Sequence, residues 1–312
     1  MPEMVAYDEF AYFHDNASEF NIAWTGPPIV RRERVSVGAG RELSALVWGT
    51  GEPEYVLIHG GAQNAHTWDT VALALGRPLL AVDLPGHGHS DGADLDAGPI
   101  APHANALDVA HVVRTLAPHA KAVAGMSLGG LTAIALAGLA PELVRRLVLV
   151  DITPGVTGPK SAAISNFING PATFASFDEI LARTIEHNST RTVASLRRGI
   201  LHNAVQEADG SWVWRYRRHP GAKTIGAGAI TEVPKFGDLW DVLGAVTCPT
   251  MLVRGMRPQS VVDDADETEL IRRLPGARVE HLEEAGHSVQ GDTPLEFASL
   301  LADFAGMSVT KP

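Results

Sequence analysis

The chain has 312 residues, 45% of them hydrophobic and 20% charged, with 36 Asp and Glu against 25 Lys and Arg for a formal net charge of -11. That content supplies a large core and excludes wholesale disorder, while the acidic balance argues against a nucleic-acid backbone or an anionic membrane as main partner. The lone cysteine, Cys248, has no second thiol to pair with, which removes the secreted disulfide-scaffold class.

Residues 1–20 are acidic, lack Lys and Arg, and contain no long apolar run, so they read as neither signal nor transit peptide. The longest apolar stretches, such as 133–140, fall far short of the roughly 20 residues that cross a bilayer. The expectation is a cytoplasmic protein without a membrane span, whose partner is a small-molecule substrate. Nothing in the sequence speaks to the oligomeric state.

Residues 1–28 end in Gly26-Pro27-Pro28 and read as an N-terminal arm, partly helical, packed on the main body. Two runs, 29–37 and 43–48, flank Gly38-Ala39-Gly40 and predict a β-hairpin. Strands then alternate with helical patterns. Strands are expected over 55–59, 79–83, 122–124 and 147–150, with helices over 67–75, 104–116 and 131–139. Short, wholly apolar strands separated by helices imply an α/β fold with a mostly parallel central sheet and helices on both faces.

Between 153 and 234 strand-like runs vanish, aromatic residues gather, and basic residues outnumber acidic ones. This stretch reads as a mainly helical insertion between two parts of one core, 29–152 and 235–312. The alternation resumes with strands over 250–254 and 277–282 and helices over 267–274 and 295–304.

Three motifs carry chemistry. Gly125-Met126-Ser127-Leu128-Gly129 is a G-x-S-x-G sequence between a strand and a helix, where a tight turn would expose the serine and glycines would admit the neighbouring backbone. His59-Gly60-Gly61-Ala62 ends a buried strand. It is either an ordinary strand-end turn or a glycine loop presenting backbone N–H groups to a developing oxyanion. Gly286-His287 follows the last strand in a loop that a serine elsewhere in the fold could reach. His87-Gly88-His89-Ser90-Asp91 partly matches an H-x-H-x-D zinc pattern, but Gly92 stands where the next histidine belongs.

Together, His59–Gly61, the D-L-P-G-H-G-H-S at Asp83–Ser90, the turn around Ser127 and Ala285-Gly286-His287 resemble the α/β-hydrolase fold family. The resemblance covers about 29–152 and 247–304, and 153–234 sits where such enzymes carry a helical cap. It implies a serine hydrolase working without cofactor or metal. Ser127 is then the nucleophile, His287 the general base and acid, and the N–H groups of Gly61 and Leu128 the oxyanion hole.

For the acid that orients His287, many relatives use a carboxylate shortly after the strand that here ends at Arg254. The stretch Gly255–Ser260 has none, and Asp263 and Asp264 open a carboxylate run that suits the first turn of a helix. Asp151, at the end of the strand following the nucleophile strand, is the expected acid. A serine rather than an aspartate at position 127 argues against epoxide hydrolases and haloalkane dehalogenases. The expected substrate is a carboxylic ester, lactone or thioester of small to medium apolar character. Carbon–carbon bond hydrolases, cofactor-free perhydrolases and a non-catalytic binding protein are the alternatives. Phe167, Phe174, Phe177, Trp212, Trp214 and Tyr216 either line an apolar pocket or pack the cap. Arg215, Arg217 and Arg218 either meet an anionic substrate or lie solvated.

Overall fold

The computed structural model describes residues 4–92, 102–188, 190–216 and 236–307. The arm contains a short helix, α1 (Phe13–Glu19), followed by the hairpin β1 (Val30–Gly38) and β2 (Arg41–Trp48). Its turn runs through three successive positive φ angles at Gly38, Ala39 and Gly40, which explains the two glycines. Strands and helices then alternate as β3 (Tyr55–Ile58), α2 (Asp69–Leu75), β4 (Leu79–Val82), α3 (Pro102–Leu116), β5 (Ala122–Met126), α4 (Leu128–Leu139) and β6 (Leu147–Val150).

The insertion carries α5 (Ala162–Ile168), β7 (Thr173–Phe174), α6 (Phe177–His187), α7 (Val193–Asn203), β8 (Ala204–Gln206) and β9 (Trp212–Trp214). The chain closes with α8 (Asp238–Gly244), β10 (Thr250–Gly255), α9 (Asp264–Arg273), β11 (Arg278–Leu282), α10 (Val289–Asp292) and α11 (Pro294–Phe304).

Eight strands form one sheet in the order β1-β2-β4-β3-β5-β6-β10-β11, antiparallel at β1/β2 and β2/β4 and parallel from there on. The apolar runs of β3 and β4 are explained by burial on both faces. Val56, Ile58, Leu80 and Val82 pack against α3 and α4, whereas Tyr55, Leu57, Leu79 and Ala81 pack against α2 and α11. Each such fully buried aliphatic side chain contributes about 1.5–3 kcal/mol.

The insertion differs from expectation in one respect. Its three helices are joined by a small antiparallel sheet, β7-β9-β8, which two- and three-residue strands cannot announce by periodicity. Trp212, Phe174, Ile180, Leu196 and Ile200 form its own core. Residues 217–235, with Arg217 and Arg218, lie outside the described residues.

The arm ties these parts together. Phe13 is buried against Trp48, with ring centroids 4.8 Å apart. Glu9 pairs with Arg32 at 2.5 Å, Arg32 reaches Asp83 at 2.8 Å, and Glu19 pairs with Arg198 of α7. No helix among the described residues is long and apolar enough to cross a membrane.

Candidate active site

Ser127 sits between β5 and α4 with φ 51° and ψ -119°, a left-handed conformation that costs a side-chain-bearing residue about 1–3 kcal/mol. The surrounding glycines make that turn possible. A Cβ at Gly125 would lie 2.2 Å from the Gly129 carbonyl oxygen, and one at Gly129 would lie 2.2 Å from that of Ile58. Helix α4 starts at Leu128, three residues before the expected 131, because Ser127 itself is the N-cap. The Leu128 N–H is therefore a first-turn donor without an intrahelical acceptor.

At the end of β3, Gly60 N–H donates to Gln63 Oε1 at 3.1 Å and Ala62 N–H donates to His87 Nε2 at 3.1 Å. Among the described residues, the N–H of Gly61 between them has no acceptor. The sterically required glycine here is Gly60, whose Cβ would meet Met126 Sδ at 2.4 Å, rather than Gly61.

Two histidines brace this loop. His59 Nδ1 donates to Gly60 O at 2.7 Å while its Nε2 accepts from the Leu84 N–H at 2.9 Å. Burial and the neighbouring His87 push His59 down to about 3, against the opposing pull of Asp83. His87 likewise commits Nδ1 to Pro85 O and Nε2 to Ala62, so it has no lone pair for a metal, and Asp91 accepts from the Glu42 N–H. His87 and Asp91 of the H-x-H-x-D stretch are thus committed to backbone groups.

Asp151 ends β6 with φ 45° and is fully buried. Its Oδ1 accepts from Gly255 N–H (3.0 Å) and Ser260 Oγ (2.6 Å); its Oδ2 accepts from Val261 N–H (3.0 Å) and lies 2.8 Å from His287 Nδ1. A carboxylate receiving donors on both oxygens holds the proton of His287 on Nδ1 and leaves Nε2 as the basic nitrogen. His287 Nε2 is buried with no hydrogen-bond partner among the described residues, Ser127 included. Where a serine and an imidazole do serve as nucleophile and base, their hydrogen bond often tightens only with substrate in place.

Asp263 lies elsewhere in the fold. It forms a capping box with Asp266 at the start of α9 and pairs with Lys160 at 2.8 Å, a contact that holds its carboxyl below the usual range. The loop after β10 thus contributes donors to Asp151 instead of an acid. Ser260 was missed by sequence reasoning, and no motif around it marks it.

Ser127, Leu128, Gly61 and His287 line one cavity of about 530 Å³, walled by Leu131, Ile152, Val156, Ile164, Phe167 and Phe236. Most of the insertion's aromatic residues pack its own body: Phe174, Phe177 and Trp212 belong to its core, and Trp214 stacks on Tyr216 at 5.7 Å. Arg215 lies over the Tyr7 ring at 5.1 Å.

His66, Asp69 and His202 bring possible ligand atoms within 4.8 Å of one another. The two imidazoles, however, are stacked at 3.9 Å with an interplanar angle of 13°. An imidazole lone pair lies in its ring plane, and no ion can occupy two parallel planes at once, so this trio does not fit a metal as it stands. His66 instead bridges Asp69 at 2.9 Å and Glu9 at 3.1 Å. Burial opposes its charge, but Asp69 and Glu9 outweigh that and hold it up at about 9.

The pattern of the alpha/beta hydrolase family matches residues 55–300. The chain is 44% identical over 300 residues to the esterase Rv0045c of Mycobacterium tuberculosis, covering 94% of each chain. It is 28% identical to the sn-1-specific diacylglycerol lipase ABHD11 of Xenopus laevis, over 81% of this chain and 79% of that one. A solved structure of the Mycobacterium tuberculosis esterase, from work on its inhibition by transition metals, superposes with a TM-score of 0.81 at 42% identity, covering 97% of this chain and 100% of the other. The chain belongs to the alpha/beta hydrolase family.

Proposed function

We propose that the protein is a serine esterase acting on carboxylic esters of small to medium apolar acids through an acyl-enzyme on Ser127. The observation that carries the reading is the 2.8 Å contact between Asp151 and His287, on the cavity that also holds Ser127. The esterase name of the 44% identical relative supports the reaction class.

In this reading Ser127 Oγ attacks the ester carbonyl and passes its proton to His287 Nε2. The resulting imidazolium is stabilised by Asp151, and the oxyanion is met by the N–H groups of Gly61 and Leu128. His287 then protonates the leaving alkoxide, and water repeats the sequence to release the acid. The described part of the insertion acts as a cap, since Val156, Ile164 and Phe167 line the cavity.

The test is Ser127→Ala, assayed with p-nitrophenyl esters of rising acyl length and with a fluorophosphonate probe. The variant is expected to fold normally, to lose probe labelling, and to lose more than about a hundredfold in kcat. Retention of more than about a hundredth of the activity overturns the assignment of the nucleophile.

A further inference from the structure

Beside the catalytic cavity lies a second, smaller one of about 150 Å³, and the two share Ala62, Gln63, Phe167 and Asn188. One water needs only about 10–15 Å³ of such space, so there is room for a carboxylate on a short methylene stem. The lining is mixed, with Thr67, Asn188, Arg191 and Gln290 among its polar residues.

Arg191 stands out within it. It lies in the link between α6 and α7, and its guanidinium rests on the backbone of Gly291 in α10, just after His287: a Cβ on Gly291 would be 3.2 Å from its Cζ. It donates to Ser195 Oγ at 2.5 Å, while its Nε is buried without a partner among the described residues. Among the described residues no carboxylate comes within ion-pair distance of it. The two nearest acids are already engaged. Glu19 is held by Arg198 and Thr192, and Asp292 accepts from Thr190 Oγ1 and the Gly286 N–H, each at 2.8 Å. A half-buried guanidinium whose Nε is sealed from water, with no carboxylate at ion-pair distance among the described residues, is poorly compensated, and an anion delivered to it gains a charge-assisted hydrogen bond in a partly sheltered setting. Burial accordingly weakens its hold on its proton, with Asp292 and Glu19 opposing from a distance.

We propose that Arg191 is the anion-binding end of the substrate site, so that the preferred ester carries a second, ionised carboxylate remote from the scissile bond. This rests on the reading of Ser127 as nucleophile. The apolar wall of the larger cavity then holds the methylene chain, and Arg191 selects among substrates by what stands at its far end.

The experiment compares kcat/KM for two anionic esters with their neutral counterparts by proton release. Methyl hydrogen adipate against dimethyl adipate tests a carboxylate on the acyl side, and 4-acetoxybutyrate against butyl acetate tests one on the alcohol side. At least one anionic ester is expected to be favoured about tenfold to a hundredfold, the range of a charge-assisted contact. Arg191→Gln should abolish that preference while leaving neutral-ester turnover within about twofold. Absence of preference in the wild type overturns the proposal, even if the variant fails to fold. An equal loss on anionic and neutral esters in Arg191→Gln also overturns it. Neutral-ester hydrolysis and fluorophosphonate labelling of Ser127 report separately on the underlying esterase reading.

Discussion

Replacing Asp151 by asparagine preserves its shape and removes its charge, and the groups around it leave the new amide no good orientation. All four contacts to the carboxylate are donors or donor-capable: Gly255 N–H and Ser260 Oγ on Oδ1, Val261 N–H and His287 Nδ1 on Oδ2. An asparagine must turn its NH2 toward one pair. Toward Oδ2, it confronts the Val261 N–H and forces the His287 proton onto Nε2, destroying the base. Toward Oδ1, it confronts the Gly255 N–H and leaves a neutral acceptor for an imidazolium that needs a charged one. Either choice leaves a buried donor unpaired, costing about 1–3 kcal/mol of stability. The catalytic loss should be on the order of a thousandfold or more in kcat, about 4 kcal/mol of transition-state stabilisation. Ester turnover at saturating p-nitrophenyl butyrate, with urea unfolding in parallel, separates the two costs. Asp263→Asn, altering a half-exposed helix cap, should change kcat by less than about twofold. A loss under about tenfold for Asp151→Asn, or the larger loss in Asp263→Asn, refutes the assignment of the acid.

Gly129→Ala should destabilise by about 3 kcal/mol in urea unfolding, because the new methyl meets the Ile58 carbonyl rather than a side chain that can yield; a cost under about 1 kcal/mol contradicts this. Trp212→Ala empties the core of the insertion and should lower stability by about 3–5 kcal/mol while leaving the ranking of ester chain lengths unchanged. Phe167→Ala, on the cavity wall, should alter that ranking with a smaller stability loss, and the opposite pattern assigns Trp212 to the substrate. His59 is held down at about 3 when folded, below its unfolded value of about 6.5, so its contribution to stability is present above pH 6.5 and lost as pH falls toward 3. Urea midpoints between pH 7 and 4 should decline with a component of up to about 1.4 kcal/mol per pH unit that His59→Gln removes. An unchanged slope in the variant shows that His59 is not the titrating group.

The sequence by itself determined the alternation of strands and helices and the position of the Ser127 turn. Apolar strands buried on both faces and glycines demanded by close backbone contact leave signals that local chemistry can read. The pairing of Asp151 with His287 was also reachable, by the place of Asp151 at a strand end and by the helix-cap character of the Asp263 run. Other features depend on residues far apart in the chain, and only the tertiary structure decided them. Ser260 joins the site because the loop after β10 folds over the end of β6, 109 residues away in sequence. Phe167 of α5 reached the cavity wall while Phe174, Phe177 and Trp212 went to the insertion's own core, and its strands of two or three residues carry too few positions for a period to show. Arg191 looks in sequence like any other basic residue of the insertion. That no carboxylate among the described residues comes within ion-pair distance of it emerges only when Glu19 of the arm is seen paired with Arg198, and Asp292 hydrogen-bonded to the loop around His287. Ion pairing and hydrogen bonding in three dimensions, which no spacing along the chain encodes, decide which acids stand close to that cation.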